Sequence, residues 1–485
     1  MIRFSWLVLM LILLGMGSAT RAQEVIYSAY DKFDFRSGDF EVIGKVGDRI
    51  FTYRGGNDGF FLDAFNDNME KTAMVVLDFF PKKIYETKFI GYSDRMIGLY
   101  QSIEGNKIVQ YGVLLDQNGR LLKGPLQITT ERTGILGPTR DYLSAAVSDD
   151  KSNILVYSFE DRGREMSMKA IWIDDQLNIV NRANPTFRAE NELAKAVPVI
   201  GNDGTVYVAA HTPVGSRGFS DQYWILSIPK GERRFFPREV PLNDLYITSA
   251  FIKVDNFNNR VYTSAFFSPN KNGNCEGVIY GIYNLADTSL QNFSVLNFSD
   301  RLREATGERN KRRAFNNFQI RQLIVKKDGG FVLISEDYTM TMRSNMPGWG
   351  GYYSFYYGPF MSQTVREYIY DDIFALSYDG SGNPEWHSFI RKSQYSQEDG
   401  GLFSSYTLIN TGGALGFLFN DFNTRASRIQ LASLDANGYV NMHSLAAGTD
   451  QDPDWLPRAA RQTGLKEVVV PCLRRKQICF AKVVF

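Results

Sequence analysis

One turn signature, returning along the chain at nearly constant spacing, constrains the fold more than any other feature. It reads Val113-Leu114-Leu115-Asp116-Gln117-Asn118-Gly119, then Ile171-Trp172-Ile173-Asp174-Asp175-Gln176, Ala375-Leu376-Ser377-Tyr378-Asp379-Gly380 and Ala432-Ser433-Leu434-Asp435-Ala436-Asn437-Gly438. Each is a β-prone run closed by Asp, Asn or Gly, residues suited to the backbone of a tight hairpin turn. With Asp116, Asp174, Lys230, Ala286, Asp379 and Asp435 as markers, the spacings are 58, 56, 56, 93 and 56 residues. That period fits one four-stranded blade with generous loops, and the long interval holds an insertion. The pattern predicts an all-β chain: a single β-propeller with seven or eight four-stranded blades.

Period-two alternation can be followed through units at 38–80, 88–129, 142–187, 193–242, 245–298, from 318 onward, and 402–445. Aromatic residues make up 14% of the chain and apolar runs are short, which suits many half-buried strands. A tandem of β-sandwiches or two smaller propellers would also be rich in strands, but the regular period argues against the sandwiches. After Trp455 the chain supplies three strands, at 458–462, 467–470 and 478–485. The missing fourth is expected from 25–30, so that pairing of N- and C-terminal strands closes the ring and leaves no open edge.

The first residues carry Arg3, an apolar stretch over 6–17 and Thr20-Arg21-Ala22, the pattern of a secretory signal peptide over 1–22. The apolar run is too short for a membrane span of about 20 residues. A propeller domain over 23–485 with an aromatic, Gly-rich insertion at 341–371 is therefore expected, exported and without a transmembrane segment in the mature chain. Basic and acidic residues number 54 and 53, a balance that offers no field for nucleic acid or an anionic membrane. Of three cysteines, Cys472 and Cys479 flank a turn at Arg475 and Lys476 that sets them opposite one another. The spacing leaves a disulfide and two packed thiols equally open. Cys275 has no evident partner.

Signatures of chemistry are sparse. There is no Gly-x-Ser-x-Gly elbow, P-loop or dinucleotide fingerprint, and His211, His387 and His443 read as structural or surface residues. Ser377 to Gly382, followed by Trp386, superficially matches the Asp-box turn of sialidase-like propellers, but its spacing is too long. Acidic loops such as 255–259 read as Asx turns, and no spacing suits a metal. No catalytic residue, cofactor or metal is expected. The insertion differs: over 349–360, seven of twelve residues are aromatic, namely Trp349, Tyr352, Tyr353, Phe355, Tyr356, Tyr357 and Phe360. Such rings carry large contact area at little rotamer cost, so they are the expected partner-binding residues, with a self-packed plug as the other reading. The connector at 300–313 reads as a solvated basic face with Asp300 as helix cap.

The run 368–376, with Asp379-Gly380, Trp386, 390–394 and Phe419-Asn420-Asp421, resembles uncharacterised exported β-propeller-like proteins of the Bacteroidetes. The resemblance covers mainly the last third of the chain. It implies a cell envelope with two membranes, placing the protein in the periplasm or at the outer membrane, with release to the exterior left open, and it carries no assigned active site. The expected function is a non-enzymatic module or scaffold that binds an envelope protein. The alternative is a carbohydrate-binding or glycan-processing propeller.

Overall fold

The computed structural model describes residues 24–132, 144–162, 164–195, 197–214, 219–344, 364–421, 428–447 and 452–485. Along them run eight antiparallel units, the fourth and fifth touching through the single bridge Ser220↔Ile247. In blade 1 the order from the inside outward is Asp39–Val46, Arg49–Gly56, Gly59–Phe65 and Lys71–Val76, and this order recurs around the ring. The last blade is built from Arg461–Gly464, Glu467–Arg474 and Gln477–Val484, with Glu24–Tyr27 as its outer strand. The register Glu24↔Val484, Val25↔Val483, Ile26↔Lys482 and Tyr27↔Ala481 is the expected pairing of the two ends.

Apolar residues alternate along each strand, so both faces of a blade are buried and the core lies between blades. Ile154 and Val156 face blade 2, joining Ile97 and Leu114, while Leu155 and Tyr157 face blade 4, joining Val208 and Leu226. Among the described residues eight such clusters occur, one at each boundary. The eighth places Val42, Ile50 and Phe65 of blade 1 against Val469, Leu473 and Phe480 of blade 8. That cluster closes the ring and decides between the two expected blade counts in favour of eight.

The recurring signature is a single hydrogen-bonded device. Asp116 Oδ1 accepts from the N–H groups of Asn118 and Arg120 at 2.7 and 2.8 Å, and Asp379 and Asp435 cap their turns in the same way. Three residues on, the backbone turns left-handed, at Gly119 (φ 79°), Gly382 (φ 86°) and Gly438 (φ 85°), where glycine avoids the strain of a Cβ. Blade 5 uses Asn284 rather than Ala286 as the capping residue. The turn after Phe219–Ile228 closes with Glu232 N–H to Pro229 O.

Neighbouring blades are tied together at this turn face by side chains that donate to the next blade's turn carbonyls. Arg49 reaches Gln117 O (2.9 Å), Trp172 reaches Gly204 O (2.8 Å), Tyr207 reaches Leu285 O (2.7 Å), and Tyr262 reaches Gly329 O (2.8 Å). Trp386 Nε1 continues the series to Ala436 O at 2.9 Å. The connector between blades 5 and 6 holds a short helix, Asp300–Ala305, whose cap is Ser299 and not Asp300: Ser299 Oγ accepts from Leu302 N–H, and Asp300 sits in the first turn. The side chain of Ser299 can fold back onto that N–H, whereas Asp300 is already helical. The connector is also less solvated than expected, since Arg303 is buried against Glu276 at 2.6 Å and the Cys275 carbonyl.

Candidate functional site

Among the described residues the longest strands are the middle pair of blade 6, Phe331–Ser344 and Thr364–Tyr378. They stay paired from Phe331↔Tyr378 to Ser344↔Thr364, and thus run into both ends of the expected insertion. Trp349, Tyr352, Tyr353, Phe355, Tyr356, Tyr357 and Phe360 lie outside the described residues, in the segment that joins these strands. The hairpin that carries this segment is described. Tyr338, Met340 and Met342 follow at two-residue spacing, so they share a face, on which Met340 and Met342 are 47% and 64% exposed. On the adjacent strand Tyr395 donates to Glu367 at 2.5 Å, and Thr341 donates to the same carboxylate at 3.2 Å.

The hairpin leaves the blade at a bulge between Glu336↔Ile373 and Tyr338↔Tyr370, where Asp337, Asp371 and Asp372 fall out of the ladder. Below the bulge lies a buried ionic network drawn from four segments. Glu336, with no exposed surface, meets Lys392 Nζ at 2.8 Å and Arg321 Nε at 3.2 Å, and accepts from Ser405 Oγ at 2.8 Å. Lys392 Nζ also donates to Tyr370 O and Gln394 Oε1 at 3.1 and 2.9 Å. Burial presses the Lys392 pKa down and the neighbouring carboxylates hold it up. Arg321 lies 5.0 and 5.7 Å from the Tyr338 and Tyr370 ring centroids, tying the network to the foot of the hairpin.

Beside this network a polar cleft of about 250 Å³ is lined by residues including Glu308, Arg313, Asp337, Asp371, Asp372 and Lys392. Burial, followed by the charges of Asp371 and Asp372, raises the Asp337 carboxyl to about 6. A carboxyl raised on folding binds more protons in the folded state, so its contribution to stability falls as pH climbs from about 4 to about 6. Asp337→Asn is therefore expected to stabilise the fold at pH 7 by about 1–2 kcal/mol, with the gain gone at about pH 4. Urea unfolding of both forms at the two pH values checks this, and an equal gain at both would refute it.

A second cavity, of about 630 Å³, opens at the turn face between the inner strands Tyr246–Asp255 and Phe318–Val325, with Phe257, 80% exposed, at its rim. Its carboxylates are engaged: Asp149 pairs with Lys253 at 3.3 Å and accepts from Asn256 at 2.8 Å, while Asp255 caps its own Asx turn. His211 lies within Val206–Val214, its Nδ1 2.5 Å from Ser220 Oγ, and burial lowers its pKa to about 4. His387 and His443 sit in outer strands, paired with Leu376 and Leu431. Among the described residues, no group of three or more His, Cys, Asp or Glu side chains could hold a metal, and no helix is long and apolar enough to cross a membrane. Cys472 and Cys479 are directly opposite, buried and free, as is the buried Cys275.

The eight blades, their shared boundaries and the paired ends define the molecule as a β-propeller. Similar solved structures include prolyl oligopeptidase B from Galerina marginata, at 10% identity and a TM-score of 0.43, covering 90% of this chain and 55% of that one. The chain thus spans about half the length of that protein. Sqt1 from Saccharomyces cerevisiae, at 8% identity and a TM-score of 0.44, is covered over 99% of its length by 96% of this chain. The β-propeller domain of Nup133 from Vanderwaltozyma polyspora gives 7% identity and a TM-score of 0.37, with 82% of this chain and 100% of that one covered. No family model matches the chain, and no curated protein does.

Proposed function

We propose that this propeller is a non-enzymatic scaffold of the bacterial cell envelope that holds a protein partner at the hairpin face of blade 6. The observation that carries the reading is the extension of Phe331–Ser344 and Thr364–Tyr378 beyond the blade, anchored by the Glu336–Lys392–Arg321 network and bearing exposed Met340 and Met342. A firm base under an apolar, adaptable strand face suits recognition of a protein surface. The aromatic residues of 349–360 fall in the segment that joins these two strands and are the proposed source of anchoring rings. The chain is taken as exported, on the signal pattern over 1–22, and its partner as a protein of the periplasm or outer membrane.

The test is crosslinking and affinity isolation of the tagged protein from its native envelope, alongside a variant with residues 349–357 replaced by a Gly/Ser linker. The wild type is expected to retain a specific protein that the variant loses by at least tenfold, with the thermal transition unchanged. Recovery of the same proteins by both forms would remove the hairpin from the interaction. Retention of envelope glycans with no protein would favour the carbohydrate-binding alternative.

A further inference from the structure

We infer that Cys472 and Cys479 form a disulfide whose redox state is set while the chain folds and is then sealed by the closed ring. The two residues are register partners in the hairpin made by Glu467–Arg474 and Gln477–Val484, and only six residues separate them. Their pairing type follows from the flanking bonds. Phe480 exchanges bonds with Ser28 (Ser28 N–H to Phe480 O, 2.9 Å; Phe480 N–H to Ser28 Oγ, 3.0 Å), so its backbone faces the N-terminal strand. Pro471 O accepts from Leu456 N–H, facing the other way. The alternate residues Cys472 and Cys479 therefore point their backbone groups at one another and make a hydrogen-bonded pair. Such pairs hold their Cα atoms about 5.5 Å apart, within the roughly 4.4–6.8 Å that a disulfide spans. The Cβ atoms of such a pair stand toward the wide end of roughly 4.5–5.5 Å and must draw in to the roughly 3.5–4.5 Å of a disulfide, a local adjustment of the hairpin.

Both thiols have no exposed surface. They lie in the apolar cluster between blades 7 and 8, with Ile409, Leu418, Trp455, Val470 and Ala481. Neither an oxidant nor a reductant reaches them while the ring is shut, and burial disfavours the Cys472 thiolate that exchange would need. In the unfolded chain the pair is local and accessible. With a small disulfide such as oxidised glutathione, one thiolate attacks a glutathione sulfur and expels a glutathione thiolate. The second cysteine thiolate then attacks the protein sulfur of the mixed disulfide and expels the other. Two cysteine thiols are thus oxidised to one S–S bond as one glutathione disulfide is reduced to two thiols. Cys275 lies in the cluster between blades 5 and 6, away from this pair, and stays a thiol. That an exported chain folds in the oxidised form rests on the export reading, whereas the sealing does not.

Refolding the purified full chain with oxidised glutathione, or with dithiothreitol, separates the two. Alkylation after denaturation is expected to count one thiol in the first product and three in the second, with peptide mapping placing the bond at Cys472–Cys479. When each folded product is exposed to the opposite reagent without denaturant, the count is expected to persist at least tenfold longer than in urea. A Cys472→Ala/Cys479→Ala variant should give one thiol under both conditions. Three thiols after oxidative refolding, or a bond to Cys275, would overturn the pairing. Exchange in the folded protein as fast as in urea would overturn the sealing. The chain isolated from its native compartment tests export separately: three thiols there, with the refolded protein still oxidising, would count against export alone.

Discussion

Removal of residues 24–32 is expected to open the ring, costing at least about 3–5 kcal/mol and producing self-association. The segment supplies the outer strand of blade 8 and the Ser28–Phe480 bonds. It also supplies Tyr27, whose ring stands edge-on to Trp455 at 6.1 Å between centroids. It further carries Asp31, which meets Lys71 at 2.6 Å and lies 3.7 Å from Arg54, while both cations reach the fully buried Asp63. Without it, Gln477–Val484 becomes an unprotected edge able to pair with a second chain. Light scattering and thermal unfolding of the truncated protein read both effects. A synthetic peptide of residues 24–32 should restore the monomer by adding back the strand in trans. A truncated chain that remains monomeric with an unchanged transition would show that the terminal strand is dispensable.

The second large effect is expected at the foot of the hairpin. Lys392→Met leaves Glu336 buried with Arg321 and Ser405 but without its closest cation, and Glu336→Gln leaves the Lys392 ammonium, 1% exposed, facing a neutral amide. Breaking one side of a buried pair costs about 3–5 kcal/mol, mostly because the other charge is left uncompensated. The double substitution Glu336→Gln/Lys392→Met should cost less than the two singles together, by about 1–3 kcal/mol. Guanidinium unfolding of the four proteins measures this coupling. Strict additivity would mean that the two charges do not depend on each other.

The architecture was legible in the sequence because its signals are local. Asp116, Asp174, Asp379 and Asp435 each cap a turn two and four residues away, so the motif survives without any knowledge of tertiary structure. The unpaired strand at 25–30 could be matched to an incomplete last blade by counting. Lys230 and Ala286 were weaker markers: the cap of the second is Asn284, and the first lies in a turn closed by backbone alone. The ionic network had no such signal. Glu336, Lys392, Arg321 and Ser405 come from separate strands and loops, and their convergence depends on the bulge at Asp337, which disturbs the alternation by a single residue. A lysine in Arg391-Lys392-Ser393 reads as surface until the fold buries it.

Placing the core between blades has a consequence in time. No blade owns a complete core, so each one emerging from synthesis or export presents an uncovered apolar face until its successor arrives. Growth along the ring covers these faces in turn, which keeps most contacts between neighbours. The last boundary behaves differently, because Glu24–Tyr27 pairs with Gln477–Val484 across nearly the whole length of the chain. The first of the described strands is therefore the last to be placed, and closing so long a loop is expected to be slow. During that interval the arc has two adhesive ends, and the time it spends open sets its exposure to aggregation and proteolysis.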